Sequence, residues 1–530
     1  MSDEVGKIAP PSTDGSLALA DPVGYSPERT LVSSPAPSPW WRIADFAVFG
    51  AWIAIVGFIL PYHEKWADEA QAWLIARDLP LSRIWFYELR YEGSPGLWHT
   101  ILWIAQHVFH AKYNALGYIG MAGATAGVAL LIFKAPFPRY IRWPLAFTYF
   151  MVYQYAVIAR PYTLLPLLAF AAAMLFKDLQ HPERLTIVLV LLANLSLHGT
   201  ILAGCLGIAY LVDAWRARDT LDVGTRRRFW ICIAVMVLVF VFIVMILKPT
   251  PDVEEFALKK LLPPQVDDHG HVLTAFTKLT ATVSGAFLDY FVPSVLFVVL
   301  AATWTATRKR LLVFGLPVAL LAALYAKIHG YPHHHGVLTV AAITGIWIAW
   351  PSKVELASFH IGQRRALLGM SALLLCFCVV NIWDSAVVMR RDYKYPYSGA
   401  KDAADYLKSV GADHAPMFGY LFGVVAVQAE FDKHLFANIP TSYFHLGFPL
   451  TGTDLDVEDL YRIKPEYIVA YTVEPERMLQ DGIPELTSRG YEVVHTSDGY
   501  YMYKQAVWQR EFYFILRRVR SQTNDSNASY

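Results

Sequence analysis

Two adjacent carboxylates, Asp68 and Glu69, lie in Tyr62-His-Glu-Lys-Trp-Ala-Asp-Glu-Ala-Gln-Ala-Trp-Leu-Ile-Ala-Arg-Asp78, directly after an apolar run. Carboxylates supply acid–base chemistry, and acidic groups are costly beside a bilayer, so the pair invites a functional reading. The plain alternative is helix-start chemistry, since the macrodipole favours acids in a first turn. Spacing leaves both open. Further along, Arg90 and Glu92 flank Tyr91 ahead of a Gly-Ser-Pro-Gly turn. Arg160 precedes Pro161, which breaks the backbone where a site would need it, and a guanidinium suits an anionic group. Its plain alternative is a snorkelling arginine. His333, His334 and His335 are consecutive, a spacing that cannot turn all three to one metal from a regular helix, and no HExxH motif is present. His198 stands alone at a helix end and reads as structural.

These residues must be held by apolar helices. Hydrophobic residues make up 55% of 530 and charged residues only 17%, with a mean hydropathy of +0.35. A soluble domain carries roughly a quarter charged residues. Apolar runs recur from about residue 43 to 386. Lipid satisfies no backbone group, and continuous rather than alternating apolarity makes such runs helices rather than barrel strands. Eleven spans are expected, near 43–61, 114–133, 143–159, 161–176, 185–200, 201–215, 229–247, 290–306, 311–326, 335–350 and 366–386. Segment 96–110 is short and carries His99, Gln106, His107 and His110, which suits a helix lying in the interface. Before it, Trp66, Ala70, Trp73, Leu74 and Arg77 make one face of an amphipathic helix along the membrane.

The charge rule sets the orientation. With 96–110 interfacial and the N-terminus cytoplasmic, the inner loops hold Lys134/Arg139/Arg142, Lys177/Arg184, Arg216 to Arg228, Arg308/Lys309/Arg310 and Lys353/Arg364/Arg365. The outer turns near 160, 200 and 330 are almost free of Lys and Arg. Counting 96–110 as a span would reverse this pattern. The first loop, the loop at 248–289, the loop 327–336 and everything from about 392 then share the outer face.

The expected fold is an all-α polytopic membrane protein with about eleven transmembrane helices, interfacial helices in the first outer loop and a small C-terminal extracytoplasmic α/β domain. Its parts are a disordered cytoplasmic tail (1–41), a transmembrane catalytic domain (42–391), the α/β domain (392–505) and a basic amphipathic then disordered tail (506–530). Within 392–505, residues 400–409 read as an amphipathic helix, Pro465–Tyr471 as a buried strand, and Tyr491–His495 with Tyr500–Tyr503 as a hairpin. Residues 508–520 are basic and aromatic and suit either anionic lipid or a solvated helix. A net charge of +1 offers no global field for nucleic acid. Cys205, Cys232, Cys376 and Cys378 sit inside apolar runs without zinc or disulfide spacing.

The order apolar span, W-A-D-E-A-Q-A-W-L-I-A-R-D, then Y-E-G-S-P-G-L-W-H, a span and a basic inner loop resembles the GT-C glycosyltransferases. The similarity is to the protein O-mannosyltransferase, aminoarabinose transferase and rhizobial galacturonosyltransferase-like groups, over about 43–176. It implies a polyprenyl-phosphate sugar donor and a glycan, lipid or protein acceptor outside the inner membrane. Asp68 then maps to the catalytic carboxylate, a general base for the acceptor hydroxyl in an inverting single displacement. An exposed aspartate near pKa ~4 is a weak base at pH 7, and a desolvated one is better matched. Glu69 would orient the acceptor or share that role. Arg160 and Tyr162 look like carrier contacts, with Arg90 and Glu92 as further substrate contacts. His333, His334 and His335 read as a second phosphate or sugar contact, or as a solvated turn. No metal site is assigned, although a divalent cation is possible; Asp252, Glu254, Glu255, Asp267, Asp268, His269 and His271 read as an acceptor lid, a cation site or a solvated loop.

Two other classes fit the sequence less well. A transporter or flippase of a lipid-linked or envelope glycan precursor is disfavoured because charges concentrate in loops and no paired broken helices suggest inverted repeats. An O-antigen ligase or polymerase would place its loaded loop late in the chain, whereas here it is the first.

Overall fold

The computed structural model describes residues 39–251, 274–328, 330–443 and 457–519. The chain forms two compact units, Met1–Ala44 and Asp45–Tyr530; in the first, only the opening of α1 (Pro39–Ile59) is described. The N-terminal tail, the acidic loop from Asp252 to His271, His329 and the last residues from Arg520 lie outside the described residues.

Five described helices are long and apolar enough to cross a bilayer: α1, α6 (Ala115–Lys134), α10 (Leu197–Arg216), α11 (Val223–Ile246) and α17 (Ile361–Lys394). A sixth is formed if α12 (Ala275–Ala286) and α13 (Phe291–Thr307), bent by 73°, count as one span. The chain is a multi-pass membrane protein. On α11, Val235, Val237, Leu238, Val241, Val244 and Met245 are all exposed, a surface suited to acyl chains. Among the other expected spans, 311–326 and 335–350 are matched by single helices, while others are shorter or interrupted. Between them run α2 (Ala67–Asp78), α3 (Leu81–Arg83), α4 (Leu89–Glu92), α5 (Leu97–His107), α7 (Arg139–Ala146), α8 (Leu165–Leu175) and α9 (Pro182–Ala193). Beyond α13 come α14 (Leu311–Lys327), α15 (Pro332–Ala349) and α16 (Lys353–Ala357).

In the run read as spans 143–159 and 161–176, the first is broken into pieces while the second is the short apolar helix Pro161–Leu175. Pro144 sits inside α7, Phe150–Gln154 forms a π-helical turn, and Pro161–Leu164 is a 3-10 turn that begins only after extended Arg160. Missing donors and altered hydrogen-bond registers break the helix into pieces. The pieces are held by close packing on α6: a Cβ on Gly127 would come within 2.8 Å of the Leu167 backbone nitrogen. Small residues here let the Arg160 turn approach α6 directly.

The first loop is more deeply packed than an interfacial reading allows. Nine of the twelve residues of α2, Ala67 and Glu69 through Ala76, are buried. The helix is enclosed by α5 and by a short helix from the C-terminal region, α19 (Val424–Ala429), so it does not lie open along the membrane. At 1.5 Å per residue, α5 with its 11 residues spans about 16 Å, roughly half a bilayer core.

After α17, α18 (Ala400–Ser409) leads into a four-stranded sheet of order β1-β2-β4-β3, comprising β1 (Met417–Tyr420), β2 (Tyr467–Thr472), β3 (Tyr491–Tyr503) and β4 (Ala506–Arg518). β1 runs parallel to β2, and β4 pairs antiparallel with both β2 and β3. The amphipathic helix and the buried strand fall where expected. The segment 508–520 does not form a lipid-facing tail: through Arg518 it is β4, between two other strands. Tyr513 and Ile515 enter one core and Phe514 and Leu516 another, so both faces are apolar and the period of two is hidden. The expected hairpin within 491–503 is instead a single strand, and the turn comes at Lys504, with φ 52°.

Candidate active site

Trp66 ends the loop ahead of α2, and the Glu69 side chain reaches back to accept from its backbone N–H at 3.3 Å. This is the reciprocal half of a capping box and fixes the first turn that carries Asp68. Glu69 is fully buried. Its other oxygen accepts the Ala159 N–H at 2.7 Å, and His63 Nε2 stands 3.2 Å from Oε2. Both oxygens are thus committed to protein partners, an arrangement that fixes the turn beside Asp68.

His63 continues the chain. Its Nδ1 lies 3.1 Å from Asp392 Oδ2, which also accepts from the Tyr153 hydroxyl at 3.0 Å. Burial alone would lower the imidazole, but the Asp392 and Glu69 carboxylates outweigh it and raise it to about 10. An imidazolium between two carboxylates therefore ties α17, the first loop and the turn before Arg160 together. Sequence reasoning missed this network. The argument that singles out Asp68, an acid at the end of an apolar run, applies equally to Asp392 and would have found it.

With its neighbour so fixed, Asp68 projects to Arg160, whose Nη1 is 2.9 Å from Asp68 Oδ2; both side chains are partly exposed, 25% and 18%. Burial raises the Asp68 carboxyl above its ordinary value, Arg160 pulls it back, and Glu69 raises it again. Arg160 also lies 5.6 Å from the Trp66 ring and 5.9 Å from the Tyr162 ring. Its Nη1 is 3.1 Å from His333 Nδ1.

Tyr162 extends the wall, with its hydroxyl 3.2 Å from His198 Nδ1 and its ring beside His333 and His334. The Tyr155 hydroxyl donates to the His333 carbonyl at 2.7 Å. Gly336 makes this approach possible, since a Cβ there would lie 2.5 Å from that hydroxyl. The three histidines part company. His333 reaches Arg160; His334 Nδ1 accepts from the Tyr331 N–H at 3.2 Å. His335 turns to the C-terminal sheet, with Nδ1 2.8 Å from the Tyr503 hydroxyl and Nε2 3.0 Å from the Gly330 carbonyl. It fastens α15 to β3.

Glu92 accepts from Gln71 Nε2 at 3.0 Å, one turn along α2 from Asp68. Burial pushes its carboxyl up to about 8; the Gln71 hydrogen bond and Arg160 oppose, while Glu88 and Asp68 add to the rise. The site thus holds one carboxyl paired with a cation and one kept protonated at neutral pH, the pattern of divided acid and base roles. Among the described residues Arg90 makes no contact with this cluster, and its buried Nε has no hydrogen-bond partner there. Among the described residues no group of three His, Cys, Asp or Glu side chains is arranged to hold a metal ion.

No protein-family model and no curated protein matches the chain. Two solved structures resemble it, both crystal structures of ArnT from Cupriavidus metallidurans. The one bound to undecaprenyl phosphate aligns with a TM-score of 0.54 at 12% identity over 92% of this chain and 100% of that one. The apo structure aligns with a TM-score of 0.52 at 14% identity over 90% of this chain and 98% of that one. The likeness is one of fold: this chain is built as the two ArnT structures are.

Proposed function

We propose that the chain transfers a sugar from a polyprenyl-phosphate carrier to an acceptor on the outer face of the inner membrane. The observation that carries this reading is the Asp68–Arg160 ion pair, set at the junction of a first-loop helix and a broken span. The ArnT fold supports it, because a protein of that architecture is one that binds undecaprenyl phosphate.

In this reading the acceptor oxygen attacks the anomeric carbon while Asp68 takes its proton. The C1–O bond to the carrier breaks, and the lipid phosphate leaves from the opposite side, inverting the centre. Arg160 neutralises the charge that develops on the phosphate. The same exchange prepares the base. When a phosphate draws Arg160 away, Asp68 loses the cation that lowers its carboxyl and becomes a better proton acceptor. Glu92, protonated at neutral pH, donates a hydrogen bond to an acceptor or phosphate oxygen. Tyr162 and His333 line the path, and Trp66 supplies an apolar face against which a sugar ring packs.

The test uses membranes carrying wild-type protein or Arg160→Ala, supplied with a radiolabelled polyprenyl-phosphate sugar. Label should pass to an envelope glycan, lipid or protein in the wild type only. Label crossing the membrane without a new linkage would instead identify a transporter.

A further inference from the structure

A cavity of about 910 Å³ lies between the last turns of α10 and the start of α14, far from Asp68. Its walls are apolar, Val212, Leu312 and Leu316 among them, while Arg216, Lys309 and Arg310 also line it. Among the described residues Asp213 is the one carboxylate lining it. Asp213 is ion-paired with Arg310 and stands 4.0 Å from Arg216, and Lys309 has no ion pair among the described residues. Of the groups lining the slot three are cations and one is a carboxylate, so its wall is net positive beside apolar surface. Lys309 holds this arrangement in a tight turn, with φ 57°, and Arg310 N donates to the Thr305 carbonyl at 2.8 Å.

The position along α10 identifies the leaflet. His198, next to the first residue of that helix, contacts Tyr162 of the candidate active site, and Arg216 is the last residue. At 1.5 Å per residue the two ends are separated by about 27 Å, close to one hydrocarbon thickness. The slot therefore opens at the membrane face opposite Asp68 and Arg160. Exposed Trp215 and Trp230 lie near the same end, as an aromatic belt does at a headgroup layer.

We propose that this slot binds an anionic phospholipid of that opposite leaflet. An acyl chain would lie along Val212, Leu312 and Leu316, and the phosphodiester would sit against Arg216, Lys309 and Arg310. Shape and charge both fit such a lipid, and the distance along α10 separates the site from the one proposed for the sugar carrier. The inference stands apart from the transfer reading, since it needs only the membrane fold.

Native mass spectrometry of the full-length protein, extracted from vesicles of equal phosphatidylglycerol and phosphatidylcholine, tests it. Phosphatidylglycerol should be retained preferentially, with retention falling about fivefold for each cation removed in Lys309→Ala and in Arg216→Ala/Lys309→Ala. Arg216→Lys/Lys309→Arg should keep it. Lys309→Ala, which breaks no ion pair, keeps the test decisive should the double variant not fold. Equal retention of both lipids, undiminished retention in Lys309→Ala, or displacement of phosphatidylglycerol by undecaprenyl phosphate would overturn the assignment.

Discussion

Arg160 Nη1 stands 2.9 Å from Asp68 Oδ2, joining a helix start in the first loop to a break between two later helices. The pair is partly exposed, so its worth to stability is small. Its interest lies in what a phosphate arriving at Arg160 does to Asp68.

Removing Arg160 should therefore act twice. Arg160→Ala should lower turnover by about 10²–10³-fold through loss of phosphate stabilisation. It should also raise the Asp68 carboxyl further, because the guanidinium opposes the rise caused by burial. A base must be deprotonated, so the acidic limb of the pH–rate profile should move to higher pH. Arg160→Lys should restore part of the rate and of the shift. A pH profile of kcat/KM for the three proteins checks both.

Glu92 makes a second pH-dependent prediction. Its folded carboxyl is raised from 4.5 to about 8, so its contribution to stability is present below about pH 4.5 and is lost as pH rises through about 8. Thermal unfolding in detergent should show the wild type losing stability across that window and Glu92→Gln losing less. A residual slope of the same sign should persist, since burial also raises Glu64 to about 7. Transfer should decline above about pH 8 in the wild type, and Glu92→Gln, which keeps an N–H donor, should flatten the decline.

The His63 bridge should be structural first. His63→Ala leaves Asp392 and Glu69 as buried carboxylates without their cation, a loss of about 3–5 kcal/mol for a broken buried pair. With the imidazole raised from 6.5 to about 10, the wild-type contribution is full below pH 6.5 and fades as pH passes about 10. A double-mutant cycle with Asp392→Asn, read by thermal unfolding, should show strong coupling. Additive losses would contradict the bridge.

His335 separates fold from chemistry. His335→Ala removes the link to Tyr503 and should cost about 1–2 kcal/mol of stability. Transfer per folded molecule should stay near wild type, whereas His333→Ala should weaken carrier binding. Measuring KM and melting temperature for both variants distinguishes the two histidines.

Much of the site was legible where a residue type carried its own argument. An acid beside a bilayer and an arginine next to a helix-breaking proline are costly or disruptive, and these two meet. The membrane architecture followed from continuous apolarity, α18 from its helical period and β2 from its short apolar run. The partners of Glu69 were not legible because spacing says that a residue starts a helix but not which face is sealed by a distant segment, here the turn at Ala159. His335 was grouped with His333 by adjacency, although successive helical residues diverge by about 100°. β4 was hidden because strands buried on both faces lose their alternation. The His63–Asp392 contact joins the first loop to the end of the last long helix, and only the packed fold brings them together.

The most direct test is Asp68→Asn, which keeps shape while removing the base. In membranes supplied with a polyprenyl-phosphate sugar, transfer should fall by about 10²–10⁴-fold, with carrier binding and melting temperature close to wild type. Transfer at the wild-type rate by the folded Asp68→Asn protein would contradict the account.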